Sequence, residues 1–202
     1  TIHAIRRKDL LAFYAQAYRP EGMEFAIVGD IQAKKAVALV EKHFGHWRVR
    51  GEPLGFEIPP ARSLKKAQRK HVKMKTKIQS DVVLGAPALA RTHPDFLEAE
   101  MADVILGEFG MMGRLGDNVR DRLGLAYYAR SQLEAAPGPG AWMAYAGVGP
   151  QSVDKAVEAM LYEMNRLKAE PVSNAELDDA KAYITGSQPL RLESNDGIAA
   201  AL

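Results

Sequence analysis

The chain contains no cysteine, which excludes disulfide staples and thiolate chemistry and leaves His, Asp and Glu as the side chains able to build a metal site. The same zero does not place the protein, because it suits a reducing cytosol and equally a periplasm where stray oxidation is avoided. No apolar run approaches the ~20 residues that a membrane-crossing helix needs. The opening Thr1-Ile2-His3-Ala4-Ile5-Arg6-Arg7 is no signal peptide and has no initiator Met. At the other end, Ile198-Ala199-Ala200-Ala201-Leu202 stops inside an apolar run with no helix stop signal. Both ends predict a segment of a longer chain. A formal net charge of only +2 gives no reason to expect an acidic partner.

Catalytic constellations are also missing. A metal hydrolase needs ligands on a rigid element and a base for water, and the histidines are His3, His43, His46, His71 and His93. Only His43 and His46 are close, and they bracket Phe44-Gly45 at a helix stop, where cations favourably meet the helix dipole. There is no His-x-x-Glu-His and no His-Glu-x-x-His. Gly147-Val148-Gly149 lacks the third glycine of a dinucleotide turn and the lysine of a phosphate loop. No catalytic residue, metal or cofactor is expected in this segment.

What is present is the profile of a soluble globular domain: 202 residues, 47% hydrophobic and 26% charged. Leu10, Leu11, Phe13 and Tyr14 stand at helical spacing, Met23 to Val28 is a short apolar strand, and Asp30 caps a helix striped by Ala33, Ala36, Val37, Val40 and Phe44 up to Gly45. Three prolines and two glycines between Arg50 and Pro60 mark a linker. The division is therefore 1–50, a linker 51–61, and 62–202. Between Arg62 and Lys77 lie eight Lys or Arg and no acid, with Val72, Met74, Thr76 and Ile78 alternating with lysines. That predicts a half-buried strand with a cationic outer face. Since the stacking aromatics of a nucleic-acid surface are absent from the run, it reads as a solvated, edge-protecting face.

Further along, Asp81 to Ala86 is a strand, Thr92 caps a helix through Leu97, Met101, Val104 and Ile105, and Gly107 to Gly113 is a flexible break. Two strands, Tyr127 to Glu134 and Ala141 to Val148, form a hairpin across a Pro/Gly loop. Two helices follow, the second opened by the capping box Ser173-Asn174-Ala175-Glu176 and interrupted at Gly186 and Pro189. Hairpin strands with helices grouped around them predict an α+β fold, a mostly antiparallel sheet with helices packed on one face.

The candidate site is Asn118 to Tyr128, where a short helix ends, Gly124 supplies the stop, and a strand begins. Arg120 and Tyr127 lie on opposite sides of that turn. A guanidinium with five fixed donors and a phenol suit the carbonyl groups of an extended peptide.

The ordered set Tyr18-Arg19-Pro20, Val28-Gly29-Asp30, His93-Pro94-Asp95, Ile105-Leu106-Gly107, Gly113-Arg114-Leu115, Val119-Arg120 with Gly124 to Tyr127, and Leu190 to Gly197 resembles the pitrilysin/insulinase family of zinc metallopeptidases, which includes the mitochondrial processing peptidase. The resemblance covers nearly the whole chain. It implies a proteolytic unit of two similar α+β halves around a chamber, one with an inverted zinc motif and one with an Arg and a Tyr that hold the substrate backbone. This chain matches the second half, with Arg120 and Tyr127 as that pair, zinc expected in a partner half that is fused or separate, and an extended peptide as substrate. The resemblance also makes residues up to about 50 the tail of the preceding half, and suggests that Met23 to Val28 fills a vacant sheet edge. It leaves the compartment open, slightly favouring the bacterial periplasm over the cytoplasm.

Overall fold

The hairpin anticipated from the Pro/Gly loop is the centre of the architecture. In this computed structural model, which describes residues 2–53, 55, 59 and 64–202, β1 (Ser80–Pro87), β2 (Ala126–Glu134) and β3 (Ala141–Val148) form an antiparallel sheet in the order β1-β3-β2. The fold is α+β. One sheet face is apolar and helix-covered: Val82, Ala129, Ala144, Ala146 and Val148 pack with Leu106, Leu115, Val119, Ala156 and Met160. The small alanines let the helices approach closely, and Leu115, Val119 and Met160 fill the space between.

The chain divides into two compact units, Thr1–Glu57 with Gly186–Leu202, and Ile58–Thr185. The second unit holds the sheet, α3 (Phe96–Asp103), α4 (Val153–Ala169) and most of α5 (Asn174–Arg191). The first holds α1 (Arg7–Ala17), α2 (Ala33–Phe44) and α6 (Asn195–Ala201). Its apolar side chains are largely uncovered. No residue of α1 is buried, only Ala36 of α2 is, and Phe25, Ile27, Ile31, Leu39 and Phe44 line an open hollow of about 490 Å³. Arg19, with only 10% of its side chain exposed, ties this unit internally by donating to the carbonyls of Val49 and Gly51.

Several local expectations are corrected. Met23 to Val28 joins no strand, and neither do residues 64–79, where Val72, Met74 and Ile78 are exposed. Arg62 and most of the 51–61 linker lie outside the described residues. Asp30 does not cap α2, whose first-turn cap position is Gln32, and Thr92 does not cap α3, which begins after Asp95. Helix α5 runs through Gly186 and Pro189 to Arg191. Because Pro189 lies in the last turn, few backbone bonds remain beyond it to be disrupted.

The stretch 107–113 is closely packed at its two end glycines, while Met111 and Met112 between them are exposed. Residues 104–108 and 116–122 are π-helical, joined by a 3₁₀ turn at Gly110–Met112. A Cβ on Gly107 would lie 2.5 Å from the Ser131 nitrogen of β2, and one on Gly113 would lie 2.8 Å from the Gly107 Cα. Glycine is required there for backbone approach. Asp103, buried at the end of α3, fastens this region to the hairpin: its carboxylate accepts the Leu133 backbone N–H and the Trp142 indole N–H, and its carbonyl accepts the Ser131 hydroxyl. Burial pushes the Asp103 carboxyl upward, and those hydrogen bonds oppose the shift.

The capping box of α5 forms reciprocally, with Ser173 N–H donating to Glu176 and Glu176 N–H to the Ser173 hydroxyl. The same carboxylate takes a bidentate grip from Arg114 at 2.6 and 3.1 Å. Arg114 above all, with burial opposing and Ser173 assisting, holds Glu176 from 4.5 down to about 2. A depressed folded value means that the stabilisation is complete above pH 4.5 and disappears as pH falls toward 2. Glu176→Gln is expected to cost about 2 kcal/mol at neutral pH, below the roughly 3–5 kcal/mol of a fully buried pair, because the Glu176 side chain is 29% exposed. Thermal midpoints measured from pH 6 to pH 2 should show the gap between parent and variant closing on acidification. A gap independent of pH contradicts the assignment.

Candidate functional site

The segment carrying Arg120 is anchored by Leu115 and Val119, which have no exposed surface. It ends in a glycine stop: Gly124, at φ +60°, donates to the Arg120 carbonyl at 3.0 Å, and Leu125 donates to the Val119 carbonyl at 3.0 Å. A left-handed residue at this place is a glycine position, and it turns the chain from the helix into β2. The Arg120 side chain is partly exposed, with one long ion contact among the described residues, to Asp121 at 4.0 Å.

Tyr127 is placed by a β-bulge. Ala126 stands opposite Val148 and Tyr128 opposite Gly147, so Tyr127 is the extra residue of β2 and has no cross-strand partner. A bulge re-aims side chains, and this one breaks the two-residue alternation so that neither Tyr127 nor Tyr128 enters the core. Tyr127 is 81% exposed, and among the described residues its hydroxyl has no hydrogen-bond partner. Both Arg120 and Tyr127 thus present polar heads to solvent on either side of Gly124. No hydrogen bond or ion pair joins them to each other. A hollow of about 700 Å³ on the flank of this segment, lined by Asn118, Leu123, Leu125, Lys155, Glu158, Ala159 and Tyr162, includes neither. Asn118 is held there by the buried Glu163, at 2.6 Å.

The open sheet face beside Tyr127 carries residues that sequence reading did not single out. Tyr128 lies across β3 over Gly147, where a Cβ would overlap its ring, and donates to Asp81 of β1 at 3.0 Å. Burial, then the hydrogen bond and charge of Asp81, raise the Tyr128 hydroxyl above its ordinary value, while Arg130 opposes them. Arg130 stacks on Tyr145. A signal for these pairs did exist: with Glu134 opposite Ala141 at the loop, the antiparallel register places Arg130 opposite Tyr145 and Tyr128 opposite Gly147, before the bulge is reached.

Residues 4–184 match the family model described as the peptidase M16 inactive domain. The chain belongs to this family. An M16 inactive domain of Pseudomonas fluorescens has the same fold, with TM-score 0.83 and 26% identity over 98% of this chain and 46% of that one. Among relatives, the uncharacterized zinc protease YmxG of Bacillus subtilis is 26% identical over 97% of this chain and 46% of its own length. The beta subunit of the mitochondrial-processing peptidase of Saccharomyces cerevisiae is 23% identical over 98% and 45%. This M16 inactive domain thus spans under half the length of these relatives.

Relatives named as zinc proteases make zinc a property of the family. Among the described residues no three His, Asp or Glu side chains stand close enough to hold a metal ion. Among the described residues no helix is long and apolar enough to cross a membrane.

Proposed function

We propose that this domain is the substrate-gripping, non-catalytic half of a zinc metallopeptidase, with Arg120 and Tyr127 holding an extended peptide while zinc sits in a partner half. The observation that carries the reading is the bulge at Tyr127, which leaves a phenol exposed and without a partner among the described residues, next to the glycine turn that ends the helix of Arg120. A guanidinium and a phenol so presented can donate to consecutive peptide carbonyls, and the phenol's bond strengthens as a carbonyl under attack gains negative charge.

The partner half is either fused upstream or a separate subunit. In the fused case residues 1–50 form the tail of the preceding half, followed by the linker 51–61 and the gripping domain from 62. The uncovered apolar side chains of α1 and α2 support that division, since exposed apolar patches of this kind mark surfaces that another body covers. Cleavage of a peptide by full-length protein or by the reconstituted halves, with Arg120→Ala and Tyr127→Phe compared against the parent, tests the roles. Unchanged rates reject them. Failure of the unaltered assembly to cleave any peptide favours the rival reading, an architectural member of the family without proteolytic work.

A further inference from the structure

The open face of the sheet holds a second recognition feature, separate from Arg120 and Tyr127. Tyr128, Arg130 and Gln132 lie on the opposite side of β2 from the buried Ala129 and Ser131, and Arg130 stands directly across from Tyr145. Its guanidinium lies 4.7 Å from the centroid of the Tyr145 ring, close enough for the ring face to hold the cation. One donor reaches the Gln132 side-chain oxygen at 3.4 Å, a long bond that leaves most of the five donors free. Among the described residues Arg130 has no carboxylate partner. Of the acids on the same face, Asp81 accepts the Tyr128 hydroxyl instead, and Glu134 stands at the far end of β2 beyond Gln132.

An arginine stacked on a ring keeps the N–H groups in its plane available, and that planar fork matches the two oxygens of a carboxylate. Because Tyr145 and Gln132 already restrict the side chain, less rotamer freedom is lost on binding than for a free surface arginine. We propose that Arg130 is a docking point for an Asp or Glu side chain of an extended peptide lying across the open face, and so sets a preference for acidic residues at one substrate position. The inference rests on the peptide-gripping reading above and names a specificity for it.

Two labelled peptides, identical except for Glu or Gln at the central position, titrated into the chain and followed by fluorescence anisotropy, test it. The Glu peptide is expected to bind about threefold to fivefold more tightly at low salt, the upper range for an exposed ion pair, and the difference should vanish in high salt. Arg130→Gln should erase the preference while leaving affinity for the Gln peptide unchanged. Tyr145→Phe should keep it and Tyr145→Leu weaken it, with circular dichroism showing that each variant is folded. Equal binding of the two peptides to the parent overturns this proposal. The gripping role stands in that case if Arg120→Ala still weakens both. Failure of both peptides to bind overturns both readings.

Discussion

On the gripping role proposed for the pair, Tyr127→Phe in the full-length protein is expected to lower kcat on the order of 100-fold with little change in KM, whereas Arg120→Ala should act mainly through KM. The difference follows from when each donor is used. A phenol aimed at a carbonyl that gains charge only during attack is worth about 3 kcal/mol in the transition state and little before it, as for other oxyanion donors. A guanidinium that holds peptide carbonyls throughout contributes equally before and during attack, and such uniform binding appears in KM. Arg120→Lys keeps the charge but loses the planar fork, so it should recover only part of the loss. The comparison is clean because Tyr127 is 81% exposed and bonded to no described residue, so removing its hydroxyl leaves the fold intact. Steady-state kinetics on a fluorogenic peptide measure the split, and a Tyr127→Phe variant with full kcat removes that residue from the mechanism.

Gly107→Ala is expected to destabilise the domain by about 3 kcal/mol, at the upper end of the usual cost of overpacking. Glycine-to-alanine changes in helices normally stabilise, by about 1 kcal/mol, since alanine restricts the unfolded chain. At Gly107 the added carbon would lie 2.5 Å from the Ser131 nitrogen and 3.0 Å from the Arg130 carbonyl carbon. These are backbone atoms of a strand already paired to β3 along its length, so relief requires the strand or the helix to move. A Cβ added at Gly186 in α5 would meet no heavy atom within 4 Å, and Gly186→Ala should therefore stabilise. Opposite signs at two helical glycines, read as thermal midpoints, check the packing account. Stabilisation by Gly107→Ala would show that the helix and β2 do not approach each other this closely.

The elements legible in the sequence are those whose hydrogen bonds close locally. Helices at 7–17, 33–44 and 153–169, the Ser173 to Glu176 capping box and the Gly124 stop follow from periodicity and cap chemistry over a few residues. The hairpin is legible for the same reason, since its loop holds both strands within reach of each other. Met23 to Val28 and Val72 to Ile78 have equally good strand patterns but form none. A ladder needs a partner edge, and alternation within one segment carries no information on whether that edge is present. The glycines at 107 and 113 misled in another way, because a residue without a Cβ serves flexibility and close packing alike.

Composition, order of motifs and the Arg120, Gly124, Tyr127 spacing were enough to determine the α+β class, the family and the residues to question, since these depend on side-chain identity along one dimension. Only the tertiary structure decided how those residues are presented. The bulge that turns Tyr127 out of the core, the stacking of Arg130 on Tyr145 and the contact of Gly107 with β2 each arise where segments distant in the chain meet. Geometry of that kind is set by the simultaneous packing of both partners, so neither segment encodes it alone.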